Sequence, residues 1–182
     1  MPSELRKAFV GLARDSTGKA SFAQAKGFLF RSAGRSGTIG LKGVRNVTDR
    51  AEIEEMLRQA YAARARADLE GVLKFFAPDV SFSISGAPHV TPIAMWVDGL
   101  ASFRAALQQL IGAFVITEYE LRTILIDADQ AAVQWRATFR SPTTNNVLTT
   151  DLFDLITVKD GRIASFTEFC DTAAAAQLLV GR

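Results

Sequence analysis

From Phe114 to Asp171 the chain alternates. The segments "FVITEYELRTILIDAD", "QAAVQWRATFRSP", "VLTTDLFDLITV" and "RIASFTEFCD" follow one another with little but turns between them, each interleaving apolar and polar residues. Successive side chains of a strand face opposite ways, so four such segments in a row predict an antiparallel meander with one buried face. Lys159-Asp160-Gly161 stands between the last two, and a D-G pair accepts the positive backbone dihedrals of a tight hairpin turn. A sheet of this kind needs something to cover its apolar side.

The cover lies earlier in the chain. "TDRAEIEEMLRQAYAARARADLEGVLKFF" opens with an N-cap candidate at Thr48 or Asp49 and carries acids in its first turn, where the helix dipole favours them. Ile53, Met56, Leu57, Ala60 and Tyr61 recur at helical spacing and make one apolar face. A second short helix is expected from about Asp68 to Phe75, with Leu69, Val72, Leu73 and Phe76 inward and Pro78 barring its continuation. "DVSFSISG" is a strand with Val80, Phe82 and Ile84 on one face, "GAPHVTP" a turn or loop, and "LASFRAALQQLIGAF" a third helix. The expected class is α+β, a strongly curved antiparallel sheet packed around three helices.

Charge divides the chain. Residues 1–46 hold nine Lys or Arg against two acids, a balance of +7, while residues 47–182 hold twelve against seventeen, a balance of −5. The expected organisation is a basic, Gly-rich, flexible extension over 1–46 and one domain over 47–182. The strand segments show no Lys/Arg stripe interleaved with aromatics, so specific nucleic-acid binding is not expected. The longest apolar runs fall well short of the ~18 residues of a membrane span. No apolar run with a small-residue cleavage site marks a secretory signal, although the basic, Ser-rich, acid-poor start resembles an organellar transit peptide in composition. "GRSG" lacks the spacing and the Lys-Ser/Thr pair of a phosphate loop. One cysteine forms no internal disulfide, and the expected location is cytoplasmic.

Several residues could carry chemistry. In the last strand Phe166, Glu168 and Cys170 share a face opposite Ser165, Thr167, Phe169 and Asp171. Glu168 is either a partly exposed carboxylate paired with an arginine, or a general acid or base in an apolar cavity. Asp171 either caps the helix "TAAAAQLL" or supports the site from behind. Arg136 must find a carboxylate, an anion or water; it belongs to a solvated sheet face, or it joins Glu168 in a pocket. His89, the sole histidine, lies in a Pro-flanked loop as a solvated side chain or an acid/base at a pocket mouth, and without partners at ligand spacing no metal site is expected. Cys170 reads as a small buried hydrophobe. Trp96 and Trp135 belong to core or cavity wall, and Tyr61 packs ordinarily or points its hydroxyl into a cavity. The expected lining is Phe82, Trp96, Trp135, Thr138, Phe153 and Phe166, with Arg136 and Glu168 as polar anchors.

The segments "AYAARARADLEGVLKFFAPDVSF", "GLASFRAALQQL" and above all "VKDGRIASFTEFCDTAA" resemble the SnoaL-like branch of the NTF2-like superfamily, with its ketosteroid isomerase, limonene-epoxide hydrolase and polyketide cyclase relatives. The resemblance covers about Arg50 to Leu179. It implies a cone-shaped fold around a deep apolar pocket, often in a homodimer, whose enzymes generally need no metal or organic cofactor. For the epoxide-hydrolase branch, Arg136 matches the strand arginine and Glu168 the carboxylate of the final strand, but Thr138 stands where an aspartate is expected. For the isomerases, Tyr61 sits where an oxyanion-donating tyrosine belongs, yet "VSFSISGAP" offers no carboxylate at the base position. For the cyclases, Glu168 or Asp171 could abstract an acidic carbon-bound proton. The expected function is a cofactor-independent isomerase, cyclase or lyase acting on a small hydrophobic or polycyclic carbonyl compound, steroid- or polyketide-like rather than a polyphosphate, with Glu168 transferring the proton and Arg136 stabilising the oxyanion. The alternatives are epoxide-hydrolase-like water addition and a non-catalytic ligand-binding or protein-assembly module.

Overall fold

A computed structural model describes residues 49–180. The expected extension over 1–46 and the alternative cap Thr48 lie outside the described residues. Helix α1, Arg50–Ala65, starts at Asp49, whose side chain accepts from the Ala51 N–H at 3.2 Å. Its buried face is Ile53, Leu57, Ala60, Tyr61 and Ala63, and Met56 is partly buried beside it. Ala67 adopts a positive φ of 58°, and Asp68 caps the next turn by accepting from Gly71 N–H at 2.8 Å. Helix α2 is therefore short, Leu69–Leu73, and buries Val72 and Leu73. Strand β1, Phe76–Ile84, begins before Pro78 rather than after it. The proline is tolerated because it sits exposed where the pairing register shifts, between Phe76 and Ser81.

After β1 come β2, Met95–Asp98, and helix α3, Leu100–Ala113, which buries Phe103, Ala106, Leu107 and Leu110. Strands β3 (Val115–Asp127), β4 (Gln130–Arg140), β5 (Val147–Lys159) and β6 (Arg162–Phe169) then form the meander that alternation predicts. The seven-residue helix α4, Thr172–Leu178, closes the described chain. Asp160 and Gly161 take φ values of 51° and 70° between β5 and β6, the doubly left-handed geometry of a type I′ hairpin.

The six strands lie in the order β2-β1-β6-β5-β4-β3 in a curved open sheet. Four of its pairings are antiparallel, and β1 beside β6 is parallel, so the sheet is mixed where alternation alone suggests a purely antiparallel one. The exception follows from connectivity: β6 leaves the meander at β5 and joins the hairpin made much earlier by β1 and β2. Among the described residues four helices accompany the sheet rather than three. No described helix is long and apolar enough to cross a membrane.

The core lies between the helices and one face of the sheet. Phe76 and Phe82 approach Phe103 of α3 at 4.5 and 4.9 Å between ring centroids, and Phe166 joins Phe82 at 5.9 Å. Burying each such ring stabilises the fold by roughly 1.5–3 kcal/mol. On β4 the inward residues are Trp135, Ala137 and Phe139; on β5 they are Leu152, Asp154, Ile156 and Val158. A carboxylate in the second set has no place in an ordinary core.

Candidate functional site

The inner face and the helices leave a cavity of about 110 Å³. Most of its wall is aliphatic and aromatic, including Leu57 and Ala60 of α1, Phe103 and Leu107 of α3, and Phe82, Trp135 and Phe166 of the sheet. The polar exceptions are Tyr61, Arg64, Thr150, Glu168, Cys170 and Asp171. Tyr61 and Arg64 stand at i and i+3 on α1, in line with Leu57 and Ala60, because the helical period returns those positions to one face. Glu168 and Cys170 come from β6 and the residue after it, two apart, with Phe166 on the same face.

Asp154 lies directly behind this wall. It is fully buried, and the β5–β6 register sets it opposite Glu168. The Tyr61 hydroxyl hydrogen-bonds Asp154 Oδ2, and the Tyr61 ring meets Trp135 edge-on at 5.3 Å. Asp154 Oδ1 and Trp135 Nε1 are each buried without a hydrogen bond of normal geometry, although the indole N–H is near enough to favour the Asp154 anion somewhat.

Burial sets the electrostatics. It pushes the Asp154 carboxyl well above its usual range, the Glu168 charge pushes the same way, and the hydrogen bond from Tyr61 and the nearby indole N–H of Trp135 pull back only partly. Glu168 is raised too, first by burial, while the Arg64 charge and the Cys170 thiol hold it down. Two carboxylates opposed across adjacent strands resist ionising together. Since the guanidinium favours the Glu168 anion, Glu168 is the member that ionises first and Asp154 the one that keeps its proton. Burial also raises the Tyr61 phenol well above normal and moves the Cys170 thiol up to about 12, which leaves that thiol unreactive. Arg64 is lowered to about 10 by burial, with Glu168 supporting its charge.

Of the residues singled out from sequence, the structure brings Tyr61, Phe82, Trp135, Phe166 and Glu168 to the cavity. Arg136 is not among them. It projects from the opposite face of β4 and pairs with Asp151 at 3.1 Å, because its neighbour Trp135 faces inward and adjacent strand residues cannot both do so. Thr138 shares that outer face and bonds Thr149 at 3.0 Å. Phe153 is also outside, exposed beside Phe169 at 6.4 Å between centroids. Trp96 is exposed and donates to Ser81 Oγ at 2.9 Å. The epoxide-hydrolase arrangement of arginine and acid is therefore not assembled in the cavity. Asp171 accepts from the Ala174 N–H at 2.9 Å as the N-cap of α4, and its exposed side chain forms the cavity's edge. His89 is exposed in the loop between β1 and β2, away from the wall. Among the described residues no group of three or more His, Cys, Asp or Glu side chains is placed to hold a metal.

Residues 57–166 match the family model of the SnoaL-like domain, which covers more than half of the chain. The chain belongs to the SnoaL-like family. Among curated proteins none matches. Solved structures similar to this SnoaL-like chain include a proposed isomerase from Rhodopseudomonas palustris, with 18% identity and a TM-score of 0.62 over 74% of this chain and 99% of that one. A proposed SnoaL-like polyketide cyclase from Jannaschia sp. CCS1 has 15% identity and a TM-score of 0.63 over 75% and 97%. An NTF2-like protein from Burkholderia xenovorans LB400 has 27% identity and a TM-score of 0.57 over 71% and 97%. These likenesses establish the NTF2-like fold.

Sequence reasoning missed Asp154 and Arg64. The signal for Asp154 was present: "DLFDLITV" puts it on one strand face with Leu152, Ile156 and Val158, a carboxylate flanked only by apolar partners. Arg64 lies one helical turn after Tyr61, on the same stripe, where a charged residue is out of keeping with the pattern.

Proposed function

We propose that this SnoaL-like domain is a cofactor-independent proton-transfer enzyme, of the isomerase or cyclase type, acting on a small apolar carbonyl compound. The observation that carries the reading is the pairing of Asp154 opposite Glu168, with Tyr61 bonded to the first and the second open to an apolar cavity. Two acids whose surroundings separate their proton affinities divide into a base and an acid. Glu168 takes a proton from the carbon beside the carbonyl, and its raised affinity makes it a better base than a surface carboxylate. In the structure the Tyr61 hydroxyl donates to Asp154 Oδ2; with Asp154 neutral, the bond can reverse when substrate enters, the carboxyl donating to the phenol oxygen. The phenol proton is then free to meet the oxyanion that develops on the substrate. Asp154 is a positioning residue, acting through Tyr61.

The cavity limits the substrate. An apolar cavity of ~150 Å³ accommodates benzene, so one of about 110 Å³ leaves no room for a polycyclic body and suits a short branched chain or, at most, a single ring. The test is proton–deuterium exchange beside the carbonyl, followed by NMR in D2O over a panel of one-ring and short-chain ketones. The full chain should accelerate exchange in at least one of them. Glu168→Gln should lose about 100-fold or more of that acceleration, and Tyr61→Phe about tenfold. Exchange no faster than in buffer across the panel, or unchanged in Glu168→Gln, defeats the reading. The mutual satisfaction of Tyr61 and Asp154 favours a second reading, ligand binding without turnover, which retention of a ligand with no exchange would support.

A further inference from the structure

We infer that the substrate or ligand is an anion, a small apolar carboxylic acid whose carboxylate pairs with Arg64. The carbonyl part of this inference rests on the proton-transfer reading; the carboxylate part does not. Arg64 belongs to the cavity wall, partly buried on the apolar stripe of α1. Its Nη2 donates to the carbonyls of Phe114 at 3.1 Å and Leu110 at 3.5 Å, the last turn of α3 and the residue after it. These bonds fix the plane of the guanidinium. Nε and Nη1 find no acceptor among the described residues. Glu168 is the opposite charge nearby, yet no ion pair forms between them within 4.0 Å.

A guanidinium held rigidly at an apolar wall, with its remaining fork uncommitted, is suited to a planar bidentate anion. Removing this charge from water costs free energy that Glu168 offsets only through space, since among the described residues no carboxylate lies within ion-pair distance of Arg64. A ligand carboxylate would offset it. The other charged groups at the wall do not preclude an anion. Asp154 keeps its proton, Asp171 is committed to the N-terminus of α4, and the Glu168 charge is balanced by Arg64 itself. An arriving carboxylate would raise the proton affinity of Glu168 further, which strengthens it as a base.

Helix geometry adds a ruler. Positions i and i+3 set the Tyr61 and Arg64 side chains ~5–6 Å apart at their β-carbons. A carboxylate on Arg64 and a carbonyl oxygen at Tyr61 can therefore belong to one short molecule, an oxo acid with its two oxygen functions a few bonds apart. Its apolar remainder would lie against Leu57, Phe82 and Phe166.

Binding to the full chain at neutral pH, measured by calorimetry, tests the anchor with matched probes: benzoate against benzamide, and phenylacetate against phenylacetamide. Each acid should bind at least tenfold more tightly than its amide. Arg64→Gln should abolish the difference, Arg64→Lys should keep part of it, and Glu168→Gln, which removes a like charge, should tighten the acids a few-fold without changing the amides. Amides binding as well as acids, an acid preference that persists in Arg64→Gln, or no binding of either probe overturns the inference. Should Arg64→Gln fail to fold, the acid-to-amide ratio of the unaltered chain and the Glu168→Gln shift decide. Exchange on neutral ketones without acid preference removes the anchor and leaves the proton-transfer reading, whereas acid-selective binding with no exchange on any ketone or oxo acid does the reverse.

Discussion

Asp154 and Glu168 make folding a proton-uptake reaction. Both have folded-state affinities raised above the unfolded values, so their contribution to stability is full below about pH 4 and is lost as pH rises through the folded values. Each unit of separation corresponds to about 1.4 kcal/mol. Thermal unfolding followed from pH 5 to pH 8 should give a Tm contribution from the pair that declines with pH, and Asp154→Asn should flatten the profile, leaving the smaller part due to Glu168. Parallel profiles for the two proteins would show that Asp154 is ionised in the fold. At this scale the sequence was only half legible. Alternation separates Trp135 from Arg136 and Asp154 from Phe153 without saying which member of each pair faces the core. Phe153 suggested an interior on its face of β5, and the structure puts it outside because Leu152, Ile156 and Val158 form the buried set.

Elements were more legible than faces. The four strands of the meander, α1 and α3 follow from period and punctuation, since alternation, helical spacing and turn residues agree in each. The D-G turn offers a clean check of that logic. Gly161 has a φ of 70° and nothing lies within 4 Å of where a β-carbon would stand, so a side chain there meets only backbone strain. Gly161→Ala should therefore cost roughly 1–2 kcal/mol in urea unfolding, with ligand binding unchanged. A loss near zero would mean that the turn relaxes to another type. The partnership of β1 with β6 was illegible, because nothing in two strands separated by most of the domain records that they will lie side by side. Nor did the sequence disclose that β1 starts ahead of Pro78, since the bulge that admits the proline is a property of the pairing.

Across the whole molecule the outer sheet face is the unfinished surface. Trp96 stands opposite Ser83, Ser83 beside Thr167, and Thr167 opposite Leu155, while Phe153 and Phe169 flank them, and all four of the large apolar side chains are exposed. A homodimer, as the family resemblance implies, would cover this band. Sedimentation equilibrium should then find a dimer that Leu155→Asp combined with Phe153→Asp converts to a folded monomer; a wild-type monomer would discard the expectation. The parallel pairing of β1 with β6 has another consequence, in the order of synthesis. Phe82 must wait for Phe166 to be made before its strand gains a second neighbour, so a chain growing from its amino end carries β1 with one edge bare until the last strand emerges. Tyr61 and Glu168 meet in that same late event. The nascent protein is thus most prone to associate wrongly just before β6 is made, and any activity the cavity has arrives in a single step when β6 docks.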